Sequence, residues 1–186
     1  MNTIKKIHDT GVELKSKRLE NRQIALGISG SIGAVETIKI IRELRRHGAV
    51  VTVFTTPAAL KFITALSLEW ASGKKIVSDE GAEVEHLISF DLVLIAPATL
   101  NTISKCSLAI ADNAVTLLVA SHLGGGKPLL FFPAMNGQMQ RHPAYQEHAK
   151  RLSGWGAEFF FPNIEEDRLK MPSSIDVAEK TLEKLS

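Results

Sequence analysis

From about residue 23 the chain alternates short, uniformly apolar runs with longer amphipathic ones. The runs are IALGI (24–28), AVVTVF (49–54), DLVLIAP (91–97), PLLFFP (128–133) and AEFFFP (157–162). Between them lie SIGAVETIKIIRELRRHG (31–48), PAALKFITAL (57–66), NTISKCSLAIADNAVTLLVASHL (101–123), PAYQEHAKRLSGWG (143–156) and the closing SSIDVAEKTLEKLS (173–186). A strand that is apolar at every position is buried on both faces, which happens when helices cover both sides of a parallel sheet. The pattern therefore predicts one doubly wound, mostly parallel α/β domain over residues 21–186. Ahead of it, residues 1–20 are charge-rich, with Ile4, Ile7, Val12, Leu14 and Leu19 at loosely helical spacing around Gly11. They predict an N-terminal helical extension.

Composition narrows the function classes. The 186 residues, 45% of them hydrophobic, suit a single domain with its own core. Lys+Arg 22 and Asp+Glu 20 are scattered along the chain for a formal charge of +2, so there is no basic stripe and no nucleic-acid partner is expected. The N-terminal stretch lacks the apolar core of a signal peptide, and no apolar run approaches the ~18 residues of a membrane span. A soluble, cytoplasmic protein without a membrane partner is expected. The single cysteine, Cys106, cannot form an internal disulfide or a cysteine-rich metal site, and no metal is expected.

In open α/β sheets, ligands sit outside the carboxyl ends of the strands. At the first such end, Gly27, Gly30 and Gly33 surround a strand-to-helix turn with Ser29 and Ser31 as hydroxyl donors. Free N–H groups at a helix start favour an anion. The spacing is G-x-x-G-x-x-G, and VFTT (53–56) lacks the acidic residue that holds an adenine ribose, so a mononucleotide phosphate fits better than a dinucleotide. The competing reading is a tight turn in which Ser31 only caps the helix. Thr55 and Thr56 either reach a ligand or cap the helix that Pro57 opens. Thr99, Asn101 and Thr102 crowd the turn after the run 91–97, with Asp112 and Asn113 further on; such small residues and amides admit a flat ring, and are equally common as caps. GGGKP (124–128) has no Ser or Thr after Lys127 and reads as a turn rather than a triphosphate loop.

Taken in order, GISGSIGA (27–34), TTPAALKFI (55–63), PATLNTISK (97–105) and PAMNGQM (133–139) resemble the successive elements of the homo-oligomeric flavin-containing cysteine decarboxylases. That family acts on phosphopantothenoylcysteine, in coenzyme A biosynthesis, or on the C-terminal cysteine of lantibiotic peptides. The resemblance runs from about Arg22 to the end and implies a Rossmann/flavodoxin-like fold. It further implies FMN bound noncovalently at a subunit interface of a trimer, or of a dodecamer built from trimers. Gly30, Ser31 and Thr55 would then lie near the phosphate and ribityl chain, and Asn101 and Thr102 near the isoalloxazine ring. Met135 would lie against flavin and substrate, while Ile32, Thr56, Phe62, Ala98 and Thr99 complete the expected cofactor set. Asn136 would hold the substrate carboxylate and His86 would assist catalysis, with His142 in reserve. A neutral amide can orient a carboxylate, and a nearby cation would stabilise the charge that decarboxylation disperses. The implied chemistry is oxidation of the cysteine thiol to a thioaldehyde, loss of CO2 and formation of an enethiol.

Two departures qualify the substrate. Only four residues separate His86 from Asp91, fewer than the family usually has. The stretch FPNIEEDRLKMPSSIDV (161–177) carries no cysteine, where coenzyme A members place one that reduces the enethiol. In this it resembles the peptide decarboxylases, which stop at the enethiol and need an outside electron acceptor. The alternative reading is an FMN-dependent oxidoreductase or electron-transfer flavoprotein of the same fold without decarboxylase activity. A flavin prenyltransferase is disfavoured by PAMN and by the lack of a clear Arg/Lys cluster, and a binding protein that has lost catalysis is a further reading.

Overall fold

A computed structural model of the chain describes residues 10–78, 89–161 and 164–185. In chain order these form β1 (Gln23–Ile28), a 3-10 turn (Ile32–Glu36), α1 (Thr37–Arg46), β2 (Val50–Thr55), a second 3-10 turn (Ala59–Lys61), α2 (Ala65–Ser72) and β3 (Leu92–Ala98). They continue with α3 (Leu100–Ser107), α4 (Ala114–Gly124), β4 (Leu129–Pro133), β5 (Met135–Asn136), α5 (Gly137–Gln140), α6 (Pro143–Gly154) and β6 (Ala157–Phe159). Last come β7 (Ile164–Glu165), β8 (Arg168–Leu169) and α7 (Ser174–Leu185).

Five strands make a wholly parallel sheet in the order β2-β1-β3-β4-β6. The apolar runs map onto it as the doubly wound reading expects, because successive residues feed opposite faces. Ile24, Leu26 and Ile28 of β1, Leu92 and Leu94 of β3, and Leu130 and Phe132 of β4 pack on one face with Ile40, Ile41 and Leu44 of α1 and Val177 and Leu182 of α7. Ala25, Val93, Ile95, Leu129 and Phe131 serve the other face, against Ile103 of α3, Val115 and Val119 of α4 and Leu152 of α6. Each fully buried Leu, Ile or Phe contributes about 1.5–3 kcal/mol, so both faces hold the sheet. The order in which strands are added reverses between β1 and its neighbour β3, which leaves a crevice at the carboxyl ends of those strands.

One expectation is corrected: residues 11–22 contain no helix. Their amides find acceptors instead at the carboxyl end of α1: the Lys15 and Ser16 N–H groups donate to the Arg46 carbonyl, at 2.8 and 3.2 Å, and Leu19 N–H to that of His47 at 2.9 Å. Leu19 is buried in the core and anchors this otherwise mostly exposed segment. Residues 1–9 lie outside the described residues. The stretch 101–123 is two helices. Ala109 takes a positive φ of 55°, and Asn113 and Thr116 form a reciprocal capping box that restarts the chain as α4. Among the described residues no helix is long and apolar enough to cross a membrane.

Candidate functional site

Four loops at the carboxyl edge of the sheet enclose a cleft of about 740 Å³. Its lining comes from Gly30 and Ser31 after β1, Thr56 to Ala58 after β2, Thr99 to Thr102 and Lys105 on α3, and Ala134 and Met135 after β4, with Asn113 and Met139 closing it. Most of the polar side chains here also shape their own loops. Ser31 Oγ accepts from Gly33 N–H at 3.0 Å, Thr56 Oγ1 from Ala59 N–H at 3.2 Å, and Thr99 Oγ1 from Thr102 N–H at 3.4 Å. Capping and lining, posed as alternatives by the sequence, are both true of these residues.

Ser29 behaves differently from expectation. It is 1% exposed, donates to the Pro97 carbonyl at 2.7 Å and accepts from Thr99 N–H at 2.9 Å. Its hydroxyl ties the β1 and β3 loops together and is not available to a ligand. Gly30 is required by close approach: a Cβ there would stand 2.5 Å from the Ala58 Cβ and 2.9 Å from the Ala58 carbonyl carbon.

Of the residues expected to hold a cofactor, Gly30, Ser31, Thr56, Thr99, Asn101, Thr102 and Met135 line this cleft. Ile32 lines a neighbouring cleft instead. Thr55 and Ala98 are wholly buried and Phe62 is surface-exposed, and none of the three lines either cleft. Thr55 Oγ1 is moreover a buried hydroxyl without a hydrogen-bond partner. The strand alternation explains Thr55 and Ala98, since both still belong to strands whose side chains point into the layers. Lys105, Pro57, Ala58, Leu100 and Ala134 were missed, although all five lie inside the very motifs singled out.

The neighbouring cleft, of about 660 Å³, is lined by Ser31 to Gly33, Val35, Glu36, Ala134 to Asn136 and Arg168 to Met171. Ser31, Ala134 and Met135 belong to both clefts and form the wall between them. Its far side is a hairpin that sequence reasoning did not find. In β7 and β8, Ile164 pairs with Leu169 and Glu165 with Arg168, and the two residues between, Glu166 and Asp167, both take positive φ (51° and 56°). That is the two-residue turn whose twist suits a hairpin, here built from acidic residues rather than the usual Asn-Gly. The hairpin lies antiparallel to β5, with Met135 opposite Leu169 and Asn136 opposite Arg168.

Ion pairs fasten the hairpin. Arg141 grips Asp167 with both guanidinium arms, at 2.6 and 3.0 Å, and Gly137 N–H donates to the Asp167 carbonyl at 2.7 Å. The bond from Arg141 holds the Asp167 carboxyl below the usual carboxylate range. Lys170 reaches Glu165 at 2.8 Å and Glu166 at 3.3 Å, and these bonds raise its own pKa. Asn136 caps α5, its Oδ1 accepting from Met139 N–H at 2.9 Å. Its side chain also lines the second cleft.

Other titratable groups are placed elsewhere. His86 lies outside the described residues. His47 pairs with Ser16, His148 with Ser107, and His142 caps α6 by accepting from Ala144 N–H. His122 is buried and donates to the Pro128 carbonyl, and burial lowers its pKa. None of these four lines either cleft. Cys106 is buried in the core beneath α3, where burial pushes its thiol up to about 12, so it is no nucleophile or redox partner.

Comparison with known proteins agrees with this architecture. The sequence is 37% identical over 178 residues to the coenzyme A biosynthesis bifunctional protein CoaBC of Thermococcus kodakarensis, covering 92% of this chain and 44% of that protein. It is 36% identical over 175 residues to the CoaBC of Methanocaldococcus jannaschii, covering 92% and 43%. The chain thus spans less than half the length of these relatives. Among solved structures, the epidermin biosynthesis protein EpiD from Staphylococcus aureus matches with a TM-score of 0.76 at 26% identity, covering 86% of this chain and 98% of that one. The FMN-dependent cysteine decarboxylase SpaF matches in fold with a TM-score of 0.78 at 23% identity, covering 90% and 98%. A family match that runs from residue 12 to residue 186, over a cleft built where doubly wound sheets bind ligands, makes this chain a member of the Flavoprotein family.

Proposed function

We propose that the protein binds FMN in the first cleft and catalyses oxidative decarboxylation of a cysteine-ended substrate lying in the second. The observation that carries this reading is the shared wall: Ser31, Ala134 and Met135 border both clefts, so a ring in one lies against a substrate in the other. The first cleft fits the cofactor's chemistry. Ala58, Leu100, Ala134 and Met135 offer apolar surface to a flat ring, Asn101 and Thr102 offer polar groups to its edge, and Ser31 and Lys105 can meet an anionic tail. The names of the relatives support the same reading, since they include coenzyme A biosynthesis proteins and FMN-dependent cysteine decarboxylases.

Bound FMN supplies the oxidation: two electrons and two protons leave the cysteine side chain, whose CH2–SH becomes a thioaldehyde. CO2 is then lost from the adjacent carbon and its electron pair passes into an enethiolate. Asn136 orients the carboxylate through its amide nitrogen, and Met135 excludes water from the meeting point. His86 takes up the proton at the reacting carbon or sulfur. The chain's one cysteine is the buried Cys106, so no thiol here reduces the enethiol, which leaves as product. Electrons return to an outside acceptor.

The enzyme is read as a cytoplasmic homo-oligomer, trimeric or dodecameric, with the clefts completed by a neighbouring subunit. Exposed apolar side chains lining the clefts, Ile32 (71% exposed), Val35 (42%) and Met139 (47%), support this.

The test is an absorption spectrum of the purified protein, identification of any flavin released on denaturation, and mass analysis after incubation with phosphopantothenoylcysteine or a cysteine-ended peptide. FMN release and a product lighter by one CO2 and two hydrogens are expected. A protein that neither carries nor takes up FMN refutes the proposal. His86→Asn should keep its flavin while CO2 release falls roughly 100- to 10,000-fold, the range for losing a general acid–base group. Unchanged release would remove His86 from the mechanism.

A further inference from the structure

We propose that Arg168 is a second carboxylate-recognition residue, acting with Asn136 to select substrates whose cysteine carboxylate is free. The inference rests on the decarboxylase reading and names a residue which that reading does not use.

Arg168 and Asn136 are directly opposite in the antiparallel β5–β8 pair. Opposed residues in such a pair project from the same face with Cβ atoms about 4.5–5.5 Å apart. Both also line the second cleft. An amide and a guanidinium thus stand side by side in the lining of that cleft.

The charges nearby single Arg168 out. Arg141 is paired with Asp167, and Lys170 with Glu165 and Glu166. The cleft's own acid, Glu36, is paired with Lys39. Glu165 stands opposite Arg168 in the β7–β8 pair but is engaged by Lys170 at 2.8 Å; among the described residues no ion pair holds Arg168, which is exposed at the cleft wall. A cation held there by a fastened hairpin, its opposite acid already engaged, is complementary to an anion brought by the ligand. Arginine's planar fork matches a carboxylate through two parallel bonds, which a lysine cannot reproduce.

The test compares the unaltered holoenzyme with Arg168→Gln and Arg168→Lys, using phosphopantothenoylcysteine as substrate and its cysteine carboxamide as competitive inhibitor. Arg168→Gln should raise KM roughly 10- to 100-fold, as for loss of one charge-assisted hydrogen-bonding group, with a smaller change in kcat. Arg168→Lys should recover part of the loss. FMN content should be equal in all three, and the uncharged carboxamide should inhibit the unaltered enzyme and Arg168→Gln equally. An unchanged KM, or an equal loss of affinity for substrate and carboxamide, overturns the role of Arg168 and leaves the decarboxylase reading standing. If the unaltered holoenzyme decarboxylates neither this substrate nor a cysteine-ended peptide, both fall together.

Discussion

The two clefts share a wall but are built in different ways. The first is made of loops that shape themselves: Ser31, Thr56, Thr99 and Asn113 each bind a backbone N–H two or three residues further along. The second is made by elements that meet from a distance, with Arg141 and Asp167 separated by 26 residues and Asn136 set opposite Arg168 only through β-pairing. A locally capped loop survives the loss of any one cap, because each contributes only about 0.5–2 kcal/mol and the sheet still positions the turn. A docked hairpin depends on a few long-range contacts. The first cleft should therefore hold its cofactor through most single substitutions, and the second should lose its substrate through small ones.

The largest effect would come where the first cleft does depend on long-range contact. In Gly30→Ala the new methyl meets Ala58, backbone included, and must push the β1 and β2 loops apart. Overpacking of this kind costs about 1–3 kcal/mol, so FMN affinity, followed by flavin fluorescence, should fall roughly 10- to 100-fold. Retained affinity would show that this cleft is self-shaping throughout.

A smaller effect, confined to the second cleft, is expected from Gly137→Ala. A Cβ there would stand 2.2–2.4 Å from the Asp167 carboxylate, which Arg141 holds in place. The hairpin should shift away from β5, raising KM several-fold while FMN binding stays as it was. Loss of FMN instead would mean that the clefts are coupled through their shared wall.

The smallest effect is a pH dependence. The Asp167 carboxyl is depressed by its bond to Arg141, so the stabilisation it gives the hairpin is present above the unfolded carboxylate pKa of about 3.9 and is lost as pH falls through the folded value. Substrate KM should therefore be insensitive to this pair between pH 5 and 8, and Asp167→Asn should raise KM across that whole range rather than at one end. A KM change for Asp167→Asn that appears only at low pH would contradict this assignment.

The same contrast explains how much of the site could be read in advance. Seven of the expected cofactor residues line the first cleft because turns and caps are written within a few positions of each other. Phe62 was placed there by its motif alone, and Thr55 by strand position, where one residue decides between layer and cleft. Nothing local announces that Glu166 and Asp167 turn a hairpin, since they lack the usual Asn-Gly pair and the Arg141 that grips Asp167 is 26 residues away.

By itself the sequence determined the apolar runs that become a doubly covered parallel sheet, the caps at their carboxyl ends and the shape of the first cleft. These follow from side-chain alternation and from hydrogen bonds spanning two to four residues. Only the tertiary structure decided that Ser29 ties two strands together across 68 residues, that residues 15–19 dock on the carboxyl end of α1 without forming a helix, and that Arg168 stands opposite Asn136. Register and long-range charge pairing settle those points, and a one-residue slip in β8 would turn Arg168 to the opposite face.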